Sequence, residues 1–180
     1  MTGLILRPVR TADEAVVRAA HAAMSADGFG FALGLRDGMA FGAWVEALAR
    51  DGAGLDFAPN GWVPSTFLLA EVDGEVVGRT SVRHRLNDWL ALEGGHIGYG
   101  VLAAHRRRGY ATEVLRQSLA VAREHGVDRV LVTCDDDNVG SAAVIERCGG
   151  RRDADLPLAP GPPPKRRYWF TGASEMITVP

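Results

Sequence analysis

The sequence predicts an α/β fold, an α+β arrangement with one mixed, twisted sheet flanked by helices, in a single domain over residues 1–180. Three observations predict it. The elements alternate in the order β-α-α-β-β-β-α-β-α-β, with room for one more strand at the end. Two strand-like runs flank Asp73-Gly74, a favoured two-residue hairpin turn. Gly98 to Thr112 reads as strand, tight arginine-rich turn and helix. With 180 residues, 47% of them hydrophobic, the chain can bury a core without disulfides or a metal.

The elements follow from local pattern. Leu4-Ile5-Leu6 is a short apolar run stopped by Pro8, and reads as a first strand. Thr11-Ala12-Asp13-Glu14 has the form of a capping box, a hydroxyl followed three residues later by Glu. Ala15, Val16, Ala19, Ala20 and Ala23 continue at helical spacing to an end near Ser25. Phe41, Trp44, Val45 and Leu48 repeat at i, i+3, i+4, i+7 and mark a second helix over 38–50. Residues 51–65, rich in Gly and Pro, read as loop. Strands are expected over 66–72, 75–83 and 96–102. Ala111, Val114, Leu115, Ser118, Leu119 and Ala122 share one helix face, which Gly126 stops. Val130-Leu131-Val132 suits a strand buried on both faces. Asn138 is placed to cap a helix running to Cys148 and ended by Gly149-Gly150. Residues 155–164 read as loop, and 167–171 as a last strand whose Tyr168-Trp169-Phe170 belongs to the core.

Composition excludes several functions. A formal net charge of -2 does not suit a general nucleic-acid binder, so no nucleic-acid partner is expected. Basic residues do cluster, at His105-Arg106-Arg107-Arg108 and Lys165-Arg166-Arg167, which fits a small anionic ligand better than a long polyanion. Cys134 and Cys148, without a signal-like start, do not make a disulfide framework and read as buried free thiols. No stretch approaches the roughly 18 apolar residues of a membrane span. The expectation is a cytoplasmic protein without a membrane partner. Asp135-Asp136-Asp137 lacks calcium-loop spacing and reads as a solvated acidic run before a helix, so no metal is expected.

The chemistry-bearing segment is the arginine-rich turn. A helix start leaves its first N–H groups without partners and carries partial positive charge, which suits phosphate. Gly109 and Ala111 lack bulky side chains, so a pyrophosphate can approach the backbone. The arginines add charge-assisted hydrogen bonds. Neither a Walker loop nor the glycine pattern of dinucleotide-binding folds is present.

Here the sequence resembles the GNAT superfamily of acyl-CoA N-acyltransferases, whose pyrophosphate signature is Gln or Arg, two free positions, Gly, one free position, then Gly or Ala. In this chain it is Arg106-Arg107-Arg108-Gly109-Tyr110-Ala111. The resemblance covers roughly residues 66–150. It includes a strand with Val101 eight residues before Gly109, a long amphipathic helix, a buried strand and the Asn138 helix. Glu93-Gly94-Gly95-His96-Ile97-Gly98-Tyr99 and Arg83-His84-Arg85-Leu86-Asn87 resemble a bacterial subgroup of that superfamily.

The resemblance implies a sheet splayed near Tyr99–Val101 to admit coenzyme A, with acetyl-CoA as co-substrate. It places backbone groups of Tyr99, Gly100 and Val101 against the pantetheine arm and the thioester carbonyl. Arg106, Arg107, Arg108, Gly109, Tyr110, Ala111 and Thr112 would hold the pyrophosphate, and Asn138 would contact the arm. The implied reaction is direct transfer of an acetyl group to a primary amine of a small molecule or peptide. Many members carry a tyrosine acid seven residues after the Asn; here that position is Ile145. The Gly-Phe that follows in many members is Gly149-Gly150. His96 and Glu93 are the candidate bases, His96 also being a plausible structural residue. His84 and Asn87 are candidates for the acceptor pocket. Strand edges of such folds often pair across a homodimer, which the sequence leaves open. The other readings are a non-catalytic acyl-CoA sensor, prompted by Ile145, an RNA or nucleotide binder, and an enzyme taking a longer acyl-CoA. For the last, the width near Gly98 and Gly100 decides.

Overall fold

The structure is a computed structural model describing residues 3–26, 28–54, 62–153 and 164–171. Its strands are β1 (Ile5–Arg7), β2 (Ser65–Val72), β3 (Glu75–Arg83), β4 (Ile97–Val101), β5 (Arg129–Asp135), β6 (Arg151–Arg152) and β7 (Lys165–Thr171). Its α-helices are α1 (Glu14–Ser25), α2 (Phe41–Gly52), α3 (Tyr110–Glu124) and α4 (Val139–Arg147). Two sheets form, β1-β2-β3-β4 and β5-β7-β6, and every ladder in them is antiparallel. The sheet expected to splay is thus parted between β4 and β5.

Alternation along the strands sorts the core into layers. Phe67 and Leu69 of β2 and Val76 of β3 face α1 and α2, packing with Val17, Phe31, Phe41 and Trp44. Ala70 and Val77 face the opposite way, against Val114 of α3. A third cluster joins both sheets under α3 and α4, from Val82 and Ile97 through Leu115 and Val130 to Ile145, Tyr168 and Phe170. The apolar stripe of α3, read at 3.6-residue spacing, is the face it buries.

Most element bounds shift by one to three residues from expectation, and three differences have physical causes. First, Thr11 does not cap α1. A short 3-10 turn at Thr11–Asp13 precedes the helix, and Asp13 accepts from the Arg10 amide at 2.7 Å. Asp13 is also gripped by both terminal nitrogens of buried Arg7, at 2.8 and 2.9 Å. This long-range ion pair, with Arg7 also reaching Glu71, overrides the local signal. Second, α2 begins at Phe41, because Gly38 takes a φ of +74° just before it. Third, β7 begins at Lys165. Lys165 pairs with Asp135 and Arg166 with Asp136, while Arg167 lies 3.6 Å from Asp153. The basic cluster at 165–167 is therefore neutralised within the fold, and of the acidic run before α4 Asp135 and Asp136 are ion-paired while Asp137 is exposed. Of the loop expected over 155–164, residues 155–163 lie outside the described residues.

A cleft between the two sheets

The parting of the sheets begins at one residue pair. The His96 amide donates to the Leu131 carbonyl at 2.7 Å, and the Leu131 amide donates to His96 Nδ1 at 2.9 Å. Gly95 makes this approach possible. Its φ is +62°, and a Cβ there would stand 2.7 Å from the Leu131 carbonyl oxygen. Beyond this clasp β4 and β5 share no ladder. The gap is crossed by side chains, with the Tyr99 hydroxyl 3.1 Å from Ser141 Oγ on α4.

A cleft of about 770 Å³ opens along this gap. Its lining brings together the β4 end at Tyr99, Gly100 and Val101, the turn residues Arg106, Arg107 and Gly109, the α3 start at Tyr110, Ala111 and Thr112, and Asn138 of the α4 cap. Arg108 is exposed and does not line it. Arg106 folds back, its Nε donating to the Val101 carbonyl at 3.2 Å. The first backbone bond of α3 runs from the Glu113 amide to the Gly109 carbonyl at 3.2 Å. The amides of Tyr110, Ala111 and Thr112 precede any intrahelical acceptor, and a helix start of this kind suits an anion. Gly109 takes a φ of +82° at the N-cap, a conformation strained for any residue with a Cβ. Within the fold its requirement is conformational, since a Cβ there would meet nothing within 4 Å. Asn138 Oδ1 accepts from the Ser141 amide at 3.0 Å, the cap expected of it.

The two candidate bases sit elsewhere. His96 is buried, and neither it nor Glu93 lines this cleft or the second cavity described below. Burial, helped by the nearby Arg83 cation, pushes the His96 imidazole down to about 4. Its Nδ1 lone pair is engaged by the Leu131 amide. Glu93 contributes its backbone carbonyl, which accepts from Thr133 Oγ1 at 2.5 Å. His84 lines neither cavity. It stacks on His125, ring centroids 3.7 Å apart, and both Nε2 atoms meet Thr66 Oγ1. Ile145 is fully buried. A Cβ at Gly150 would stand 2.9 Å from Phe170, so β7 fills the space beside that glycine with an aromatic ring. Cys134 is buried, its thiol pushed up to about 11 by burial, which makes it a poor nucleophile. Among the described residues no cluster of three or more His, Cys, Asp or Glu side chains is placed to hold a metal, and no helix is long and apolar enough to cross a membrane.

A second cavity, of about 430 Å³, lies on the α1–α2 side of the first sheet, lined by Leu33, Leu48, Asp51, Trp62, Val63, Ser65, Phe67, Ser81, Arg83, Asn87, Trp89 and Leu90. Asn87, a candidate for the acceptor pocket, lines this cavity; its other residues carry no sequence signature. Its residues come from five segments with no shared motif. The available signal was the alternation Arg79, Ser81, Arg83, which puts polar groups on the face of β3 that β2 fills with apolar ones.

A sheet parted beside a glycine-headed helix start, with a separate cavity against the same first sheet, is the architecture of an acyl-CoA-dependent acyltransferase. The chain belongs to the GNAT acetyltransferase family: the family described as acetyltransferase (GNAT) domain matches residues 3–151. Solved structures of the same fold include an acetyltransferase from Agrobacterium tumefaciens, 23% identical, with a TM-score of 0.61 over 94% of this chain and 92% of that one. RimJ of Mycobacterium smegmatis, solved with CoA-disulfide, is 21% identical, with a TM-score of 0.67 over 98% of this chain and 85% of that one. The protein yncA of Salmonella typhimurium, solved with its cofactor acetyl-CoA, is 18% identical, with a TM-score of 0.61 over 98% of both chains. No curated protein matches the chain.

Proposed function

We propose that this chain, as one domain over residues 1–180, moves the acetyl group of acetyl-CoA to a primary amine of a small molecule or peptide by direct transfer. The observation that carries this reading is the cleft itself. It runs from the amides at the start of α3 to the unladdered edge of β4, a path suited to a pyrophosphate at one end and a pantetheine arm at the other. The coenzyme complexes of RimJ and yncA, which share the fold, support the ligand.

In this reading Tyr110, Ala111 and Thr112 amides hold the pyrophosphate, with Arg106, Arg107 and Arg108 supplying surrounding positive charge. The backbone of Tyr99, Gly100 and Val101 pairs with the arm, and Asn138 borders it. The amine nitrogen attacks the thioester carbon, the C–S bond breaks, the nitrogen releases a proton, and the coenzyme sulfur leaves as thiolate and is then protonated. Pre-oriented donors that meet developing charge lower such a barrier. With Ile145 in the core, the group nearest in kind to the absent tyrosine acid is the Tyr99 phenol. Burial raises its pKa, so it keeps its proton. We assign it, with Ser141, to hydrogen-bonding the leaving sulfur. His96 is assigned a positioning role, holding β4 on β5 where the gap starts, and Glu93 a place in the same support. The amine loses its proton to water.

Phe29 caps the cleft. A Cβ on Gly100 would stand 2.6 Å from its Cζ, which favours a short acyl group. Ile145 favours one second reading, a sensor that binds acyl-CoA without turnover. Following free-thiol release from acetyl-CoA across an amine library separates them. Turnover with any amine supports transfer; tight coenzyme binding with no turnover on any amine leaves the sensor.

A further inference from the structure

Two guanidinium groups lie side by side on the α1–α2 face of β3, Arg79 buried and Arg83 half-buried. Arg79 is 3% exposed. Its Nη1 donates to the Gly98 carbonyl at 2.9 Å and its Nη2 to the Gly30 carbonyl at 2.5 Å, while its Nε has no partner among the described residues. Arg83 spends one nitrogen on weak contacts: Nη1 donates to the Gly94 and Gly95 carbonyls at 3.2 and 3.4 Å. Its Nε and Nη2 donate to nothing among the described residues, and Arg83 lines the second cavity. Both crowd onto Gly98, where a Cβ would stand 3.3 Å from Arg83 Nη1 and 3.8 Å from Arg79 Nη1. Among the described residues no carboxylate pairs with either. Burying one unpaired cation is costly, and placing two together more so. Burial and the Arg83 charge push Arg79 down to about 9, which leaves it charged at neutral pH.

The rest of the cavity is largely apolar. Trp62 and Trp89 border it, each at least half exposed, with Leu33, Leu48 and Leu90 beside them. A planar guanidinium that borders such a space and keeps donors unspent matches a carboxylate, which accepts two parallel hydrogen bonds. Gly98 precedes by two residues the Gly100 backbone to which the thioester is assigned. Two residues of strand span roughly 7 Å. Asp51, the one acid on the described wall, accepts from Ser65 Oγ at 2.8 Å and belongs to the α2 side.

We infer that the second cavity takes the acceptor by its carboxylate, on Arg83, and that the acceptor is a small amine with a carboxylate and an apolar body, the chemistry of a free apolar α-amino acid. The inference rests on the transfer reading above and adds the acceptor's class. The test titrates CoA-saturated protein with phenylalanine, phenylalaninamide and phenethylamine by calorimetry, and follows thiol release from acetyl-CoA with the same three. Phenylalanine is expected to bind at least about tenfold more tightly than the other two, and Arg83→Met to erase that preference while Arg83→Lys restores part of it. Equal binding of the three by the unmodified protein, or a preference that survives in a folded Arg83→Met, overturns the inference. If Arg83→Met does not fold, the three-ligand comparison on the unmodified protein decides alone. Turnover that favours phenethylamine leaves the transfer reading standing and sinks the carboxylate. A carboxylate preference in binding without turnover on any amine sinks the transfer reading and leaves the anion pocket standing.

Discussion

His96 and Leu131 exchange two hydrogen bonds, amide to carbonyl at 2.7 Å and amide to Nδ1 at 2.9 Å, and the two sheets part directly beyond them. The imidazole thus stands in for the next rung of a ladder that the cleft requires to be missing. Because an amide N–H can only donate, Nδ1 is the unprotonated nitrogen of a neutral ring.

Acid should loosen this clasp. The folded-state pKa of His96 is about 4, below its ordinary 6.5, so the unfolded chain binds a proton that the folded chain refuses. The stabilisation is full above about pH 6.5 and is lost as pH falls from there towards 4. His84, lowered by burial and then by His125, adds in the same direction. His96→Asn keeps an acceptor near the Nδ1 position and removes the titration. Its melting temperature is expected to fall less steeply than wild type between pH 7 and pH 5. Identical slopes would place the acid sensitivity elsewhere.

The same variant tests the catalytic assignment. Loss of a general base costs about 10²–10⁴-fold in rate. His96→Asn is expected to lose far less, with a pH–rate profile that follows the acceptor's ammonium group. His96→Ala, which leaves the buried Leu131 amide without an acceptor, should cost about 1–3 kcal/mol of stability, read by urea unfolding.

Gly109→Val should weaken acetyl-CoA binding by at least about tenfold, because a branched side chain shields the helix-start amides. The φ of +82° adds about 1–2 kcal/mol of strain. Gly126→Val is the control. It forces a Cβ onto a φ of +76° at the far end of α3, and should lower the melting temperature without changing coenzyme affinity. Calorimetry with acetyl-CoA reads the first quantity, circular dichroism the second.

Asn138 separates capping from binding. Asn138→Ala removes the cap to the Ser141 amide and should cost about 1 kcal/mol. Asn138→Asp keeps the cap and loses the carboxamide donor. Coenzyme affinity should fall in both variants, the melting temperature only in the first. Unchanged affinity in both would reduce Asn138 to a capping residue.

Tyr99→Phe removes the phenol that reaches Ser141 across the gap. A single hydrogen bond to developing charge is worth about 1.5 kcal/mol, or roughly tenfold in kcat. That loss is expected with little change in KM for acetyl-CoA. Phe29→Ala, which uncaps Gly100, should raise turnover with propionyl-CoA relative to acetyl-CoA; a preference unchanged from wild type would remove Phe29 from acyl selection.

Local pattern alone determined the element order, the hairpin at Asp73-Gly74, the face of α3, the Asn138 cap and the glycine at the head of α3. These are features of dihedral preference and hydrophobic period, which neighbours in the chain decide. Tertiary structure decided the rest, because partners distant in sequence decide it. Arg7 and Glu71 drew Asp13 into the start of α1, Asp135 and Asp136 neutralised Lys165 and Arg166, and Leu131 engaged the backbone and imidazole of His96. The guanidiniums of Arg79 and Arg83 were legible only as an alternation on β3. That Arg83 borders a cavity without a carboxylate partner among the described residues depends on α2, β2 and the Trp89 segment meeting around it, which no local period encodes.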